Sequence, residues 1–323
     1  MKKIAVVMGG FSKESFLSLE SGQIVFDNLC RKKYEPYKAY ILDNKWVINI
    51  DNNIEYPINK EDFSIIRNHK RLNFDCIFNI IHGTPGEDGI LSAYFELLKI
   101  PYTGCNFYQS NITFNKKYCL SFVKNFGIKI ANSIFINKNQ IFSKEKILKK
   151  IGTPCFVKPT KSGSSLGISK VNNKKEFDSA LKTAFKKDDE VIIEEFLNGI
   201  EVSVGVYSFH DKITILPITE IISQNDFFDF ESKYSGKSKE ITPARLSNKI
   251  ENKLLNIAEK IFRILNLTGM ARSEFIIVDE EPFFLEINTI PGFSKESIFP
   301  KQLKVAGISL SDFFHKMISS SFN

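Results

Sequence analysis

One stretch of the sequence spaces charged residues so that they share a face. In "ARSEFIIVDEEPFFLEIN" (271–288), alternation puts Arg272 with Glu274 on one side of the first apolar segment. It likewise puts Glu286 with Asn288 on one side of the second. A three-residue turn at Asp279-Glu280-Glu281 sets the hairpin register, with Glu274 opposite Glu286 and Arg272 opposite Asn288. Opposed Cβ atoms lie about 4.5–5.5 Å apart, where like charges repel. Two facing carboxylates among apolar neighbours therefore ask for a cation between them. Mg2+ suits such a pair, because it takes carboxylate oxygens together with phosphate oxygens. A solvated surface hairpin satisfies the same pattern.

Two further stretches carry chemistry of a related kind. In "FVKPTKSGSSLGISK" (156–170), Lys158 leaves an apolar strand and the Gly163–Gly167 turn leads into another. Flexible Gly/Ser backbone can aim several N–H groups at phosphate oxygens, with the lysine as a point charge. A plain hairpin turn fits equally, and no Lys-Ser/Thr follows to make a Walker A loop. In "VIIEEFLNGIEVSVGV" (191–206), Glu194 ends an apolar strand, Phe196 and Leu197 follow, and Glu201 opens the next strand. Acceptors beside a flat apolar surface suit an adenine amino group and a ribose hydroxyl; a charged interdomain corner would look the same.

The elements that must hold these groups fall into three blocks. Strand and helix alternate from residue 1 to about 104: "KIAVVMGG", then "SFLSLESGQIVFDNL", "YEPYKAYIL", "FDCIFNIIHG" and "GILSAYFELLKI". That order predicts a doubly wound parallel-sheet α/β domain, whose ligands sit beyond the carboxyl ends of its strands. Those ends are Gly9-Gly10 with Ser12 and Glu14, and His82-Gly83 with "TPGEDG". Residues 105–192 form a central block of helix, paired strands and helix. Residues 193–323 add further strands, a long helix over about 249–265, the charged hairpin and a final helix. A polar segment over about 223–243 has the length and composition of a functional loop.

Composition narrows the setting. The chain has 323 residues, enough for two or three domains, with 43% apolar and 25% charged residues. Phenylalanine occurs 30 times and tryptophan once, so the cores should be packed with phenylalanine rings. The net charge of +7 is spread without an arginine-rich tract, which argues against nucleic acid and suits an anionic small substrate. Five scattered cysteines lack zinc spacing and read as reduced thiols. The apolar run Ile4–Met8 is too short for a secretion signal, and no stretch approaches a membrane span. A cytoplasmic protein is expected.

Read in order, these pieces resemble one family. Lys116 in "FNKK", Lys158 in "FVKP", "GSSLG", "EEFLNGIE", "MARSEF" and "LEINTIPG" are similar to the ATP-grasp fold. With "GGFSKES", "HGTPGEDG", "SKY" at 232–234 and "PGFSKES" at 291–297, the chain resembles the D-alanine–D-alanine ligases over essentially its whole length. The resemblance implies ATP-dependent ligation of two D-alanines through a D-alanyl phosphate, with two Mg2+ or Mn2+ ions. It also implies a cytoplasmic homodimer joined through the N-terminal domain.

Residue by residue, the resemblance implies that Lys116 and Lys158 contact phosphates and that the loop with Ser164 and Ser165 closes over them. Glu194 would accept from the adenine amino group, Glu195, Phe196 and Leu197 would line the base, and Glu201 would hold the ribose. Glu274, Glu286 and Asn288 match metal ligands. Glu14 would bind the ammonium of the first D-alanine and join Ser164 and Tyr234 in a triad. Arg272 and the Gly292 N–H match oxyanion-stabilising positions. Ser297 and the Ile298 N–H would hold the second carboxylate, His82 would line the cleft, and Lys233 would reach in from the loop. Tyr234 implies D-alanine rather than D-lactate as second substrate.

Two positions depart from the family pattern. Glu274 stands where many members have aspartate, and Asn115 where they often have an acid before the lysine. Three rival readings stay open on sequence alone. They are a ligase of the same fold for another amino acid, a depsipeptide ligase, and a nucleotide-binding protein without activity.

Overall fold

The computed structural model describes residues 1–50, 54–163, 165–210, 212–223 and 238–322. Most of the expected loop over about 223–243, including Lys233 and Tyr234, lies outside these residues, as does Ser164, while its later residues Ser238–Ile241 form a strand rather than loop. The first apolar run forms β1 (Lys2–Gly9), buried on both faces from Ile4 to Met8, and leads into α1 (Ser15–Asn28). Next come β2 (Tyr34–Ile41), β3 (Trp46–Ile50), β4 (Ile54–Pro57), a small hairpin of β5 (Ile65–Arg67) and β6 (Lys70–Leu72), β7 (Cys76–Asn79) and α2 (Ile90–Leu97). The sheet order is β4-β3-β2-β1-β7.

The strands β2, β1 and β7 run parallel, and α1 and α2 cover opposite faces, as a doubly wound unit requires. Val25 and Leu29 of α1 share a core with Ile4, Val6 and Met8. Leu91 and Phe95 of α2 share another with Ala5 and Val7. The simple strand–helix alternation is broken between β2 and β7. Residues 42–45 close a tight turn, with the Leu42 N–H donating to the Lys45 carbonyl, which is too short for a helical crossover. Hence β3 returns antiparallel, β4 follows it, and the sheet is mixed.

The middle of the chain supplies α3 (Phe107–Phe114), α4 (Lys116–Asn125), β8 (Ser133–Asn137), α5 (Lys144–Ile151), β9 (Cys155–Pro159), β10 (Ser169–Val171), α6 (Phe177–Phe185) and β11 (Glu190–Glu195). Its strands form an antiparallel sheet, β10-β9-β11-β8. Here α3 and α4 pack against the C-terminal sheet instead, with Cys119, Leu120 and Val123 in that sheet's core.

The last part contains β12 (Ile200–Phe209), β13 (Lys212–Ile215), β14 (Thr219–Ser223), β15 (Ser238–Ile241), α7 (Asn248–Ile264), β16 (Met270–Val278), β17 (Glu281–Asn288), α8 (Ile298–Val305) and α9 (Leu310–Ser320). The sheet runs β15-β14-β12-β16-β17, with β13 on β12. Leu254, Ala258, Ile261 and Phe262 form the buried stripe of α7, at helical spacing.

Phenylalanine does pack the seams. Phe293, Phe299, Phe313 and Phe314 join Phe78 of the N-terminal sheet in one cluster, with Phe293 and Phe314 centroids 5.0 Å apart and Phe78 and Phe314 5.4 Å. Offset edge-on rings of this kind fill volume without polar atoms. The C-terminal helices thus lock onto the first sheet. Phe313 is fully buried, so Phe313→Ala should cost about 3–5 kcal/mol by removing contacts and leaving a cavity. Denaturant unfolding should show a lowered midpoint; a shift below about 1 kcal/mol would mean the seam is not structural.

Candidate active site

The charged hairpin has the expected facing residues, reached by a different route. Arg272 pairs with Asn288 and Glu274 with Glu286. The turn, however, has two residues, Asp279 and Glu280, both at positive φ, because Val278 already pairs with Glu281. The register then shifts between Glu274 and Phe275, so Leu285 is one extra residue in β17. A turn one residue shorter and a bulge one residue longer cancel. The bulge lets Leu285 and Glu286 both face the cleft, while Phe284 and Ile287 stay in the core.

Two cavities meet at this hairpin. The first is lined by Glu14, His82, Arg272, Asn288, Gly292, Ser297 and Ile298 among others, drawing on both ends of the chain. The second lies between the central and C-terminal sheets, lined by Lys158, Ser165, Glu194, Glu195, Leu197, Glu201 and Glu274. Its apolar walls are Ala131, Phe156, Ile168, Ile276 and Leu285. Phe196 does not line it; its ring packs 6.0 Å from that of Phe156, which does. Lys116 and Glu286 line both cavities, and their side chains meet at 2.9 Å.

Charges in the cleft come in pairs. Lys158 Nζ lies 2.6 Å from Glu194, both nearly buried. Burial pulls the Lys158 ammonium down, but Glu194, Glu286 and Glu201 outweigh it and the net shift is upward. Arg272 lies 3.0 Å from Glu274, which also accepts from the Ser203 hydroxyl at 3.3 Å. The buried Arg272 Nε has no hydrogen-bond partner among the described residues. Lys116 also donates to the Ser162 carbonyl at 2.8 Å. An incoming polyanion with its cations could re-partner these groups with little new desolvation.

The first cavity is walled by close backbone approach. A Cβ on Gly163 would fall 2.8 Å and 2.9 Å from the Glu14 carboxylate oxygens, so a larger residue here would push the Glu14 carboxylate aside. At the other end, a Cβ on Gly292 would sit 2.8 Å from Ser297 Oγ. Burial pushes His82 down to about 4, with Arg272 acting in the same direction, so its imidazole is neutral near pH 7. Its Nε2 lies 3.3 Å from Ser21 Oγ, which accepts from the Phe293 N–H.

Asn115 shows what its position is for: its side chain accepts from the Lys117 and Tyr118 N–H groups as the N-cap of α4. An aspartate would cap the same way, so the change leaves Lys116 in place. Asn288 accepts from the Ile290 N–H at 2.7 Å, which turns the chain toward Gly292.

Glu87 was not singled out as a site residue, although "TPGEDG" was placed at a strand end. It is buried in the first cavity and accepts from the Gly83 N–H at 2.6 Å. Burial, then Glu14, pushes its carboxyl up to about 8, with Glu286 adding to the effect. Nothing local marks it, since its neighbours Glu14 and Glu286 are remote in sequence. Ser21, Ser294, Glu240 and Glu296 line the same cavity and were also not anticipated.

Two sheets clasping a lysine- and carboxylate-lined cleft, with an α/β unit closing one end, define the ATP-grasp class. Family models described as "D-ala D-ala ligase N-terminus" and "D-ala D-ala ligase C-terminus" match residues 3–105 and 122–319. The chain is 51% identical over 321 residues to the D-alanine–D-alanine ligase of Flavobacterium johnsoniae, covering 99% of each. Among solved structures it is similar to the VanG D-Ala:D-Ser ligase from Enterococcus faecalis, at 32% identity and a TM-score of 0.86 over 99% of both chains. It is also similar to the D-alanine–D-alanine ligase from Bacillus anthracis complexed with ATP, at 27% identity and a TM-score of 0.79, covering 100% of this chain and 97% of that one. The chain belongs to the D-alanine–D-alanine ligase family.

The elevated Glu87 carboxyl has a measurable sign. Folding takes up a proton there, so its contribution to stability is full below the unfolded value of 4.5 and is lost as pH rises through about 8. Glu87→Gln should flatten the fall in stability across this window, by up to about 1.4 kcal/mol per pH unit. Denaturant unfolding at several pH values checks this; parallel curves for the two proteins would refute it.

Proposed function

We propose that this protein joins two D-alanine molecules into D-alanyl-D-alanine at the expense of ATP, for peptidoglycan precursor synthesis. The observation that carries this reading is the meeting of the two cavities at Lys116 and Glu286. One cavity offers flat apolar walls with acceptors for a nucleotide, the other a buried carboxylate and neutral donors for amino acids.

ATP would lie in the second cavity, its base against Phe156, Ile276 and Leu285, with Glu194, the Glu195–Leu197 stretch and Glu201 around adenine and ribose. Lys116 and Lys158 would face the phosphates, with Ser164, Ser165 and Lys233 from the covering loops. The residues present fit divalent cations. Glu274 and Glu286 are opposed oxygen donors on one face, with Asn288 beside them. Among the described residues no three His, Cys, Asp or Glu side chains close a cage, so phosphate oxygens would complete the shell, as Mg2+ prefers. Two Mg2+ or Mn2+ ions held there would neutralise charge on the transferring phosphoryl group.

The first D-alanine would place its ammonium on Glu14 and its carboxylate toward Lys116. A carboxylate oxygen attacks the γ-phosphorus, the bond to ADP breaks, and an acyl phosphate forms. The second D-alanine, its carboxylate held by Ser297 and the Ile298 N–H and its amine deprotonated, attacks the carbonyl carbon. Arg272 and the Gly292 N–H would stabilise the oxyanion, after which the C–O bond breaks and phosphate leaves. His82, neutral, would contribute hydrogen bonding and shape. Tyr234 and Ser164 would join Glu14 across the site, and Tyr234 would favour D-alanine over D-lactate.

We further propose a cytoplasmic enzyme, divided into lobes near residues 104 and 192. Among the described residues, no helix is long and apolar enough to cross a membrane. A homodimer through the N-terminal lobe is proposed on the family resemblance.

Incubation with ATP, Mg2+ and a panel of D-alanine, D-serine and D-lactate should yield mainly the D-alanine dipeptide by mass. A dominant mixed product would overturn the substrate reading. Glu286→Gln should retain the fold but reduce D-alanine-dependent phosphate release by at least about a hundredfold. Turnover within a few-fold of the parent enzyme would remove Glu286 from the reaction.

A further inference from the structure

The first cavity poses an electrostatic problem where the second D-alanine is proposed to bind. That amino acid brings a carboxylate, yet the wall beside Ser297 and Ile298 also carries Glu240 and Glu296. Glu240 lies on β15 and its side chain is only 11% exposed, so solvent does little to screen it. The other cations of the cavity cannot offset it, since Lys116 is held by Glu286 and Arg272 by Glu274.

Lys301 solves this from outside the cavity lining. It stands on α8, one turn beyond Ser297, so it returns to the side of the helix start. Its Nζ lies 2.9 Å from Glu240 Oε2, 3.2 Å from the Glu296 backbone carbonyl and 3.6 Å from the Glu296 carboxylate. One ammonium thus bridges both carboxylates and ties β15 to the start of α8. One position along the β14–β15 ladder, Glu220, which pairs with Ile241, is held separately by Arg245 with two hydrogen bonds at 2.9 Å and 2.5 Å.

We propose that Lys301 is a positioning residue of the second-substrate subsite, offsetting the nearly buried charge of Glu240, while solvent screens the exposed Glu296 carboxylate, so that this wall accepts a carboxylate. The inference rests on the placement of the second D-alanine at Ser297 and Ile298. Lys301 acts through Glu240 and touches no substrate itself.

Steady-state kinetics that resolve the KM of each D-alanine test it. Lys301→Met should raise the KM for the second D-alanine about five- to tenfold, the scale of one partly exposed charge. The KM values for ATP and the first D-alanine should stay within about twofold, and Lys301→Arg should behave as the parent. The double variant Lys301→Met with Glu240→Gln should recover most of the loss, because both charges are gone. An unchanged second KM in Lys301→Met, or a double variant as impaired as the single, overturns the inference. Ser297→Ala, run in parallel, separates the two layers. If it raises the second KM while Lys301→Met does not, only the role of Lys301 fails. If Ser297→Ala leaves that KM unchanged, the subsite placement fails and this inference with it.

Discussion

The site depends on like charges being kept close. Glu274 and Glu286 face each other across β16 and β17, and Glu14 and Glu87 lie together in the first cavity. Such arrangements are unfavourable unless each carboxylate finds a cation or a proton. Arg272 supplies one for Glu274, Lys116 one for Glu286, and Glu87 keeps its proton. Arg272 is a near neighbour of Glu274 on the same strand, but the Lys116–Glu286 pair and the protonation of Glu87 beside Glu14 each join distant parts of the chain. The lobes must therefore be docked before the cleft is electrostatically tolerable, which makes the phenylalanine seam a condition for the site.

That seam explains the division of labour among the sheets. The C-terminal helices carry Phe299, Phe313 and Phe314 onto the face of the N-terminal sheet that α1 also covers. Glu14 at the start of α1 and Ser297 at the start of α8 are thereby set around one cavity. Meanwhile α3 and α4 rest on the C-terminal sheet, so Lys116, first residue of α4, is delivered to Glu286 by helix packing. The central sheet contributes Lys158 and Glu194 from neighbouring strands. Among the described residues, it touches the first cavity through the loop containing Ser162 and Gly163.

Period-2 and period-3.6 patterns made most of this legible in the sequence, because burial dictates them. The strands of "KIAVVMGG" and "MARSEFIIV", the long helix after residue 248 and the glycine-rich strand ends are all where their patterns place them. The hairpin facing was also legible, although two errors cancelled: the turn is a residue shorter and Leu285 is an added one. Bulges leave no local mark, since "FFLEIN" obeys alternation about as well without one. The antiparallel β3 and β4 were missed because residues 46–57 are short, polar-interrupted segments whose partners lie in the sheet. Glu87 was missed because its character comes from burial beside Glu14, a contact across 73 positions that no spacing encodes.

The two cavities and the pair between them also bear on why a family with this fold can hold a reactive intermediate. An acyl phosphate survives only if water is kept from its carbonyl, and its formation and use need different partners on either side. On the proposed reading, phosphoryl transfer occurs at the Lys116–Glu286 junction, and the acceptor amine approaches from the opposite wall, past Gly292. The proposed donor subsite is covered by the loop at Gly163, where a Cβ would fall 2.8 Å from a Glu14 carboxylate oxygen. The proposed acceptor subsite lies at the start of α8, whose Phe299 and Leu303 pack in the phenylalanine seam. On this reading, the approach of the second amine is set by how α8 sits on the phenylalanine seam.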